Sequence, residues 1–207
     1  MRRCQYWGLF SFMLMCASGL IARAGQFNEV LSIGDKAPAW VNLPGADGKK
    51  HSLSDLKDKK AVVVVFTCIS CPTAKDYEDR IQALAKRHSG AEGQVAVVAI
   101  CVNKVEADKL PKIEARAKSK GFVFQYLSDD SQKIAKAYGA IFTPEFYVLN
   151  QDRKVIYMGA MDDSTDPANV KQKHVEEAIA AALKGEQPAV KETVARGCMV
   201  RYARERK

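Results

Sequence analysis

Two stretches of this chain admit only one environment. Ala61-Val62-Val63-Val64-Val65-Phe66 and Val95–Val102 are apolar at every position, so neither leaves an alternate face to water. Such runs, rich in β-branched residues, read as strands buried on both faces, inside a sheet with helices above and below. Between them, Ala74, Tyr77, Ile81, Leu84 and His88 recur at helical spacing. That spacing predicts an amphipathic helix from Pro72 to about His88, closed by Ser89-Gly90 and Gly93.

The remaining segments extend this alternation. Ala39–Leu43 is expected to form a short strand, Pro44-Gly45-Ala46-Asp47-Gly48 a hairpin loop, and His51–Leu56 a strand end followed by a helical turn. Lys104–Lys120 reads as a surface helix restarting at Pro111, and Phe122–Leu127 as a short strand. Asp129-Asp130-Ser131-Gln132 offers an N-cap for a short helix through Ile134, Ala135 and Tyr138 that stops at Gly139. Glu145–Leu149 and Lys154–Met158 form an expected antiparallel hairpin, and Asp166-Pro167 opens a helix to about Leu183 with Gly185 as its stop. The order predicts an α/β fold: a central mixed sheet with helices on both faces and an N-terminal extension.

The predicted domain spans residues 25–185, flanked by a leader at 1–24 and a tail at 186–207 without periodicity. The leader has Arg2 and Arg3, then an uncharged apolar run from Trp7 to Ile21, then Ala22-Arg23-Ala24. This is the pattern of a cleaved signal peptide, and a run of about 15 residues is shorter than the ~20 that span a bilayer. The expectation is export to a periplasmic or other extracytoplasmic compartment, with no stable membrane span after cleavage. The net charge of +8 includes three arginines of that leader. The rest of the basic residues are scattered except at the tail (Arg196, Arg201, Arg204, Arg206, Lys207), without the interleaved aromatics of a nucleic-acid site.

Export changes how the cysteines read. Cys4 and Cys16 lie in the leader, leaving Cys68, Cys71, Cys101 and Cys198 where disulfides persist. Cys68-Ile69-Ser70-Cys71 joins the first buried strand to the amphipathic helix. A helix N-terminus offers unpaired N–H groups and partial positive charge, which favour thiolate, the form that attacks disulfides. Cys68, first at the loop tip, is the expected attacking sulfur and Cys71 the resolving one. Cys101 is expected to be an inert buried thiol, with a third reacting thiol beside Cys68–Cys71 and pairing to Cys198 as the alternatives.

Val64-Val65-Phe66-Thr67-Cys68-Ile69-Ser70-Cys71-Pro72 resembles the active-site strand and loop of the thioredoxin superfamily. Ile33-Gly34-Asp35-Lys36-Ala37-Pro38 and Asp47-Gly48…Leu53-Ser54-Asp55-Leu56 are similar to its redoxin branch, which holds the alkyl hydroperoxide reductase/thiol-specific antioxidant group and exported thioredoxin-like reductases. Gly139–Phe146 resembles the family's Thr-Pro loop. The resemblance implies a thioredoxin-like fold, a cis Thr143–Pro144 bond facing the cysteines, and substrate binding at Thr143 and Pro144. It also implies exchange with protein thiols or disulfides and with an electron-donor or acceptor protein, and no cofactor. Thr67 stands where thioredoxins carry tryptophan and Val62 where they carry a buried aspartate, which leaves Glu145 as the candidate for proton handling.

Three rival readings follow from the same residues. A peroxidase of the branch carries Pro-x-x-x-Thr/Ser-x-x-Cys, and neither register fits: Val64 and Cys68 precede Cys71, Ala61 and Val65 precede Cys68. A metal site needs further ligands, but Cys101 and Cys198 are single and His51, His88 and His174 form no spaced pair. The third is a binding module in which Cys68–Cys71 is an inert structural disulfide.

Overall fold

The computed structural model describes residues 25–88 and 93–203; the leader, residues 89–92 (with the expected Ser89-Gly90 helix stop) and the last four residues lie outside them. A small hairpin comes first, from β1 (Leu43–Pro44) and β2 (Lys50–His51), followed by a 3-10 turn at Leu53–Leu56. Then come β3 (Ala61–Thr67), α1 (Pro72–His88) and β4 (Val95–Cys101). A 3-10 turn at Glu106–Asp108 precedes α2 (Leu110–Lys120), β5 (Gln125–Ser128) and α3 (Lys133–Tyr138). The last elements are β6 (Phe142–Thr143), β7 (Glu145–Leu149), β8 (Val155–Gly159), α4 (His174–Lys184) and β9 (Cys198–Met199).

The main sheet has the order β5-β4-β3-β7-β8. β3 runs parallel to β4, β4 parallel to β5, and β7 and β8 return antiparallel. The apolar run expected at the centre is the central strand, and all seven of its residues are buried. Val62, Val64 and Phe66 face one core with Trp40, Tyr138 and Tyr147; Ala61, Val63 and Val65 face the other with residues of α1 and α4. Each such side chain contributes about 1.5–3 kcal/mol by leaving water, so neither face of β3 has room for a polar substitution. α2 lies beside α1, tied by the Arg116–Glu78 ion pair at 2.6 Å.

Two expectations need correction. The helix read from Asp166 to Leu183 is broken: Pro167–Asn169 is a 3-10 turn, and the α-helix begins only at His174. Asp166 caps the short turn by accepting from Ala168 N, which satisfies the donor a longer helix would have needed. The tail after Gly185 has no helical period, yet it is packed. Met158 N donates to Lys191 O, and Thr193 N to Met158 O. The Thr193 hydroxyl takes the Ala160 N–H at 2.9 Å. A side chain at Gly159 would strike the Thr193 carbonyl, so glycine there lets the tail lie against the end of β8.

Trp40 anchors the N-terminal lead in the first core and is fully buried. Trp40→Ala is expected to lower the unfolding free energy by about 3–5 kcal/mol, read from denaturant midpoints at unchanged slope.

Candidate active site

The parallel strands β3, β4 and β5 end at one edge of the sheet, where open α/β folds place their sites. Cys68 follows β3 directly, Cys101 closes β4 opposite Thr67, and Cys71 stands just before α1. The Cys71 sulfur accepts the Ala74 N–H at 3.3 Å, so it acts as the helix N-cap. Tyr77 and Arg80, one and two turns further on, both hold Asp162 after β8, which fixes α1 against the sheet.

The loop between the cysteines is clamped from a distance. One oxygen of Asp108 accepts the Ile69 N–H at 2.7 Å and the Ser70 N–H at 2.8 Å, and the other accepts the Ser70 hydroxyl at 2.6 Å. Asp108 is buried. Its carboxylate thus takes the N–H groups of the two loop residues that precede the helix, and leaves the helix N–H of Ala74 to Cys71. Asp108 was not legible in the sequence, where it is one acid among the charges of Lys104–Lys120.

The Thr143–Pro144 bond is cis, and Thr143 meets both cysteines. The Cys68 sulfur lies 3.5 Å from the Thr143 hydroxyl, and the Cys71 thiol reaches the Thr143 carbonyl at 3.1 Å. Cys198 joins them: its sulfur is 2.7 Å from that of Cys71. The backbone edge of Thr143 does pair with an extended strand, but the strand is β9 of the same chain, with Thr143 opposite Cys198 and Phe142 opposite Met199. A side chain on Gly197 would overlap the Thr143 carbonyl, so glycine allows this approach. The Gly197-Cys198 pair was the one local signal in the tail.

The electrostatics of the two sulfurs differ. Burial pushes the Cys68 thiol up, and the nearby Asp108 charge adds to it against the hydrogen bonds from Thr143 and Ser70. Burial acts on Cys71 as well, but hydrogen bonding to Cys198, the Ala74 N–H and Thr143 outweighs it and holds Cys71 below the ordinary thiol range. Cys198 goes the opposite way, pushed up to about 11, first by its hydrogen bond to Cys71. Of these two close sulfurs, Cys71 is therefore the one that gives up its proton more readily.

Glu145 does not reach the cysteines. Its carboxylate accepts the Ile141 N–H, the Phe142 N–H and the Tyr147 hydroxyl, all within 2.9 Å, and burial pushes its pKa up. It braces the loop that carries Thr143 and has no proton path to either sulfur among these contacts. Cys101 is buried, its thiol reaches the Asp108 carbonyl at 3.5 Å, and burial raises it far above the ordinary range. Cys198 pairs with Cys71, not with Cys101.

Comparison with known proteins places this geometry. The family model described as Redoxin matches residues 32–178. The chain belongs to the redoxin family. A Mycobacterium tuberculosis protein named a peroxiredoxin is 29% identical over 142 residues, covering 61% of this chain and 83% of that protein. The crystal structure of a Sinorhizobium meliloti protein titled as hypothetical is 32% identical, with a TM-score of 0.76 over 85% of this chain and 97% of that one. A Chlorobium tepidum structure titled as a DsbE thiol:disulfide interchange protein shares the fold at 24% identity, with a TM-score of 0.60 over 74% of this redoxin and 99% of that chain. Together these make the protein a thioredoxin-like oxidoreductase.

Asp108→Asn keeps an acceptor for the two loop N–H groups and removes the charge facing Cys68. Because that charge opposes the thiolate, the pH at which reduced Cys68 titrates, followed by its Cβ chemical shift, is expected to fall. An unchanged or higher midpoint would show that Asp108 acts on the loop by geometry alone.

Proposed function

We propose that this redoxin is an exported thiol–disulfide oxidoreductase that exchanges the Cys68–Cys71 couple with thiols and disulfides of other proteins. A separate donor or acceptor protein resets the couple. The observation that carries the reading is the grouping of both sulfurs with Thr143 at the C-terminal edge of the sheet, Cys71 serving as the N-cap of α1. A cysteine in that position leaves as a thiolate more easily than a free one, which speeds exchange in both directions. Export rests on the leader pattern alone.

The peroxiredoxin name of the mycobacterial relative favours a second reading, thiol-dependent peroxide reduction. Against it stand Val64 and Cys68, or Ala61 and Val65, where the peroxidase motif has proline and Thr/Ser.

Purified protein is expected to catalyse insulin reduction by dithiothreitol, and Cys71→Ser to bring the rate to background. Full activity in that variant sinks the reading. Rapid hydrogen peroxide consumption without insulin reduction would favour the peroxidase. Protein recovered from outside the cytoplasm is expected to begin at Gly25 by N-terminal sequencing; an intact Met1 there would refute cleavage.

A further inference from the structure

Cys68 and Cys71 are each 2% exposed, so a disulfide on another protein has little access to either. The edge of Thr143, along which a partner's extended chain would align, is taken by β9. Cys198 lies in that strand, touches Cys71 and is half-buried, which makes it the accessible sulfur of the group.

Nor is the strand a loose end. Before Cys198, Thr193 bonds Tyr157 and Ala160. After it, Val200 N donates to Ile141 O, the Arg201 N–H goes to Asn103, Gln132 donates to the Arg201 carbonyl and accepts the Ala203 N–H, and the Tyr202 hydroxyl donates to Ala140 O at 2.6 Å. Two anchors hold a cysteine between them against the couple. A strap meant to lift away would have its bonds at one end only. Beside Cys198, Ile141, Val194 and Met199 are exposed, an apolar margin of the kind that contacts polypeptide.

We propose that Cys198 is the third reacting cysteine of this redoxin, the sulfur that meets the partner protein and relays exchange through Cys71 to Cys68. The proposal rests on the oxidoreductase reading above and names the route to its couple. In the reducing direction, Cys198 gives its proton to Cys71 and attacks one sulfur of the partner disulfide. The partner S–S bond breaks, a mixed disulfide to Cys198 forms, and the first partner sulfur leaves as a thiolate. Cys71, passing its proton to that thiolate, attacks Cys198. The mixed disulfide breaks, Cys71–Cys198 forms, and the second partner sulfur leaves as a thiolate. Cys68 then attacks Cys71, the Cys71–Cys198 bond breaks, Cys68–Cys71 forms, and the Cys68 proton ends on Cys198 once the second partner thiolate has taken one from water. The partner has gained two electrons and the Cys68–Cys71 couple has lost two. No metal, flavin or further oxidant enters, and the last step is an isomerisation of one disulfide.

Two measurements test the relay. Cys68→Ser blocks the last step, so after oxidation with diamide its non-reducing peptide map is expected to show Cys71–Cys198, with Cys101 unpaired. A map lacking that peptide overturns the proposal. In the insulin assay, Cys198→Ser is expected to lose at least fivefold in rate while Cys68–Cys71 still titrates against dithiothreitol; a smaller loss overturns the proposal. Should Cys198→Ser also lose the titratable couple, the loss reflects the fold of the site and the Cys68→Ser map decides. If the wild-type protein shows neither insulin reduction nor a titratable Cys68–Cys71 couple, the oxidoreductase reading itself fails, which is a separate result.

Discussion

The molecule depends on burying β3 from both sides. All seven of its residues are out of water, so the chain needs a layer above and a layer below before the strand is stable. α1 and α4 supply one layer; the N-terminal lead with Trp40, together with α3, supplies the other. A strand held this firmly makes its C-terminal end a fixed point. Cys68 is attached to that point and Cys71 to the start of the helix packed beneath it, so the two sulfurs are located by the core rather than by a flexible loop.

On that scaffold, opposing charges and dipoles divide the work between the sulfurs. Asp108 buries a carboxylate against the loop and spends it on three donors, which rigidifies the Ile69-Ser70 turn but works against negative charge on Cys68. Cys71 has the opposite surroundings, with the Ala74 N–H donating to its sulfur and Cys198 in contact with it. A carboxylate beside one cysteine and donors beside the other bias where a single negative charge rests. Thr143 contacts both sulfurs and does not distinguish them. Glu145, bound to the backbone three and four residues before it, keeps that loop in place.

β9 changes what this edge of the sheet means. In a chain without the tail, Thr143 would present a free backbone edge next to two cysteines. Here the edge is satisfied internally, and its occupant carries a cysteine in contact with the couple. Gly159 and Gly197 are the two positions where the tail comes too close for a side chain, at the end of β8 and beside Thr143. The tail is thus part of the site's wall, and its last contacts, through Gln132 and Asn103, reach the loops after β4 and β5.

Local pattern was enough for much of this. The all-apolar runs of Ala61–Phe66 and Val95–Val102 have no amphipathic alternative, so their burial and the position of Cys68–Cys71 just after a buried strand were determined by the residues themselves. The hairpin of β7 and β8 and the helix of α1 were legible for the same reason: periodicity is a local property. The break before α4 was not, because helical spacing continued through a segment whose donors are satisfied by the Asp166 turn instead. Asp108 and Cys198 could be found only in three dimensions. The first acts on residues 38 and 39 positions before it, the second on a residue 127 positions before it. Neither contact leaves a trace in the spacing of nearby residues, since a carboxylate or a thiol acquires its role from the groups that folding brings to it. The sequence by itself determined that two cysteines end a buried strand; only the tertiary structure decided how the surroundings of the two differ and that a third stands in front of them.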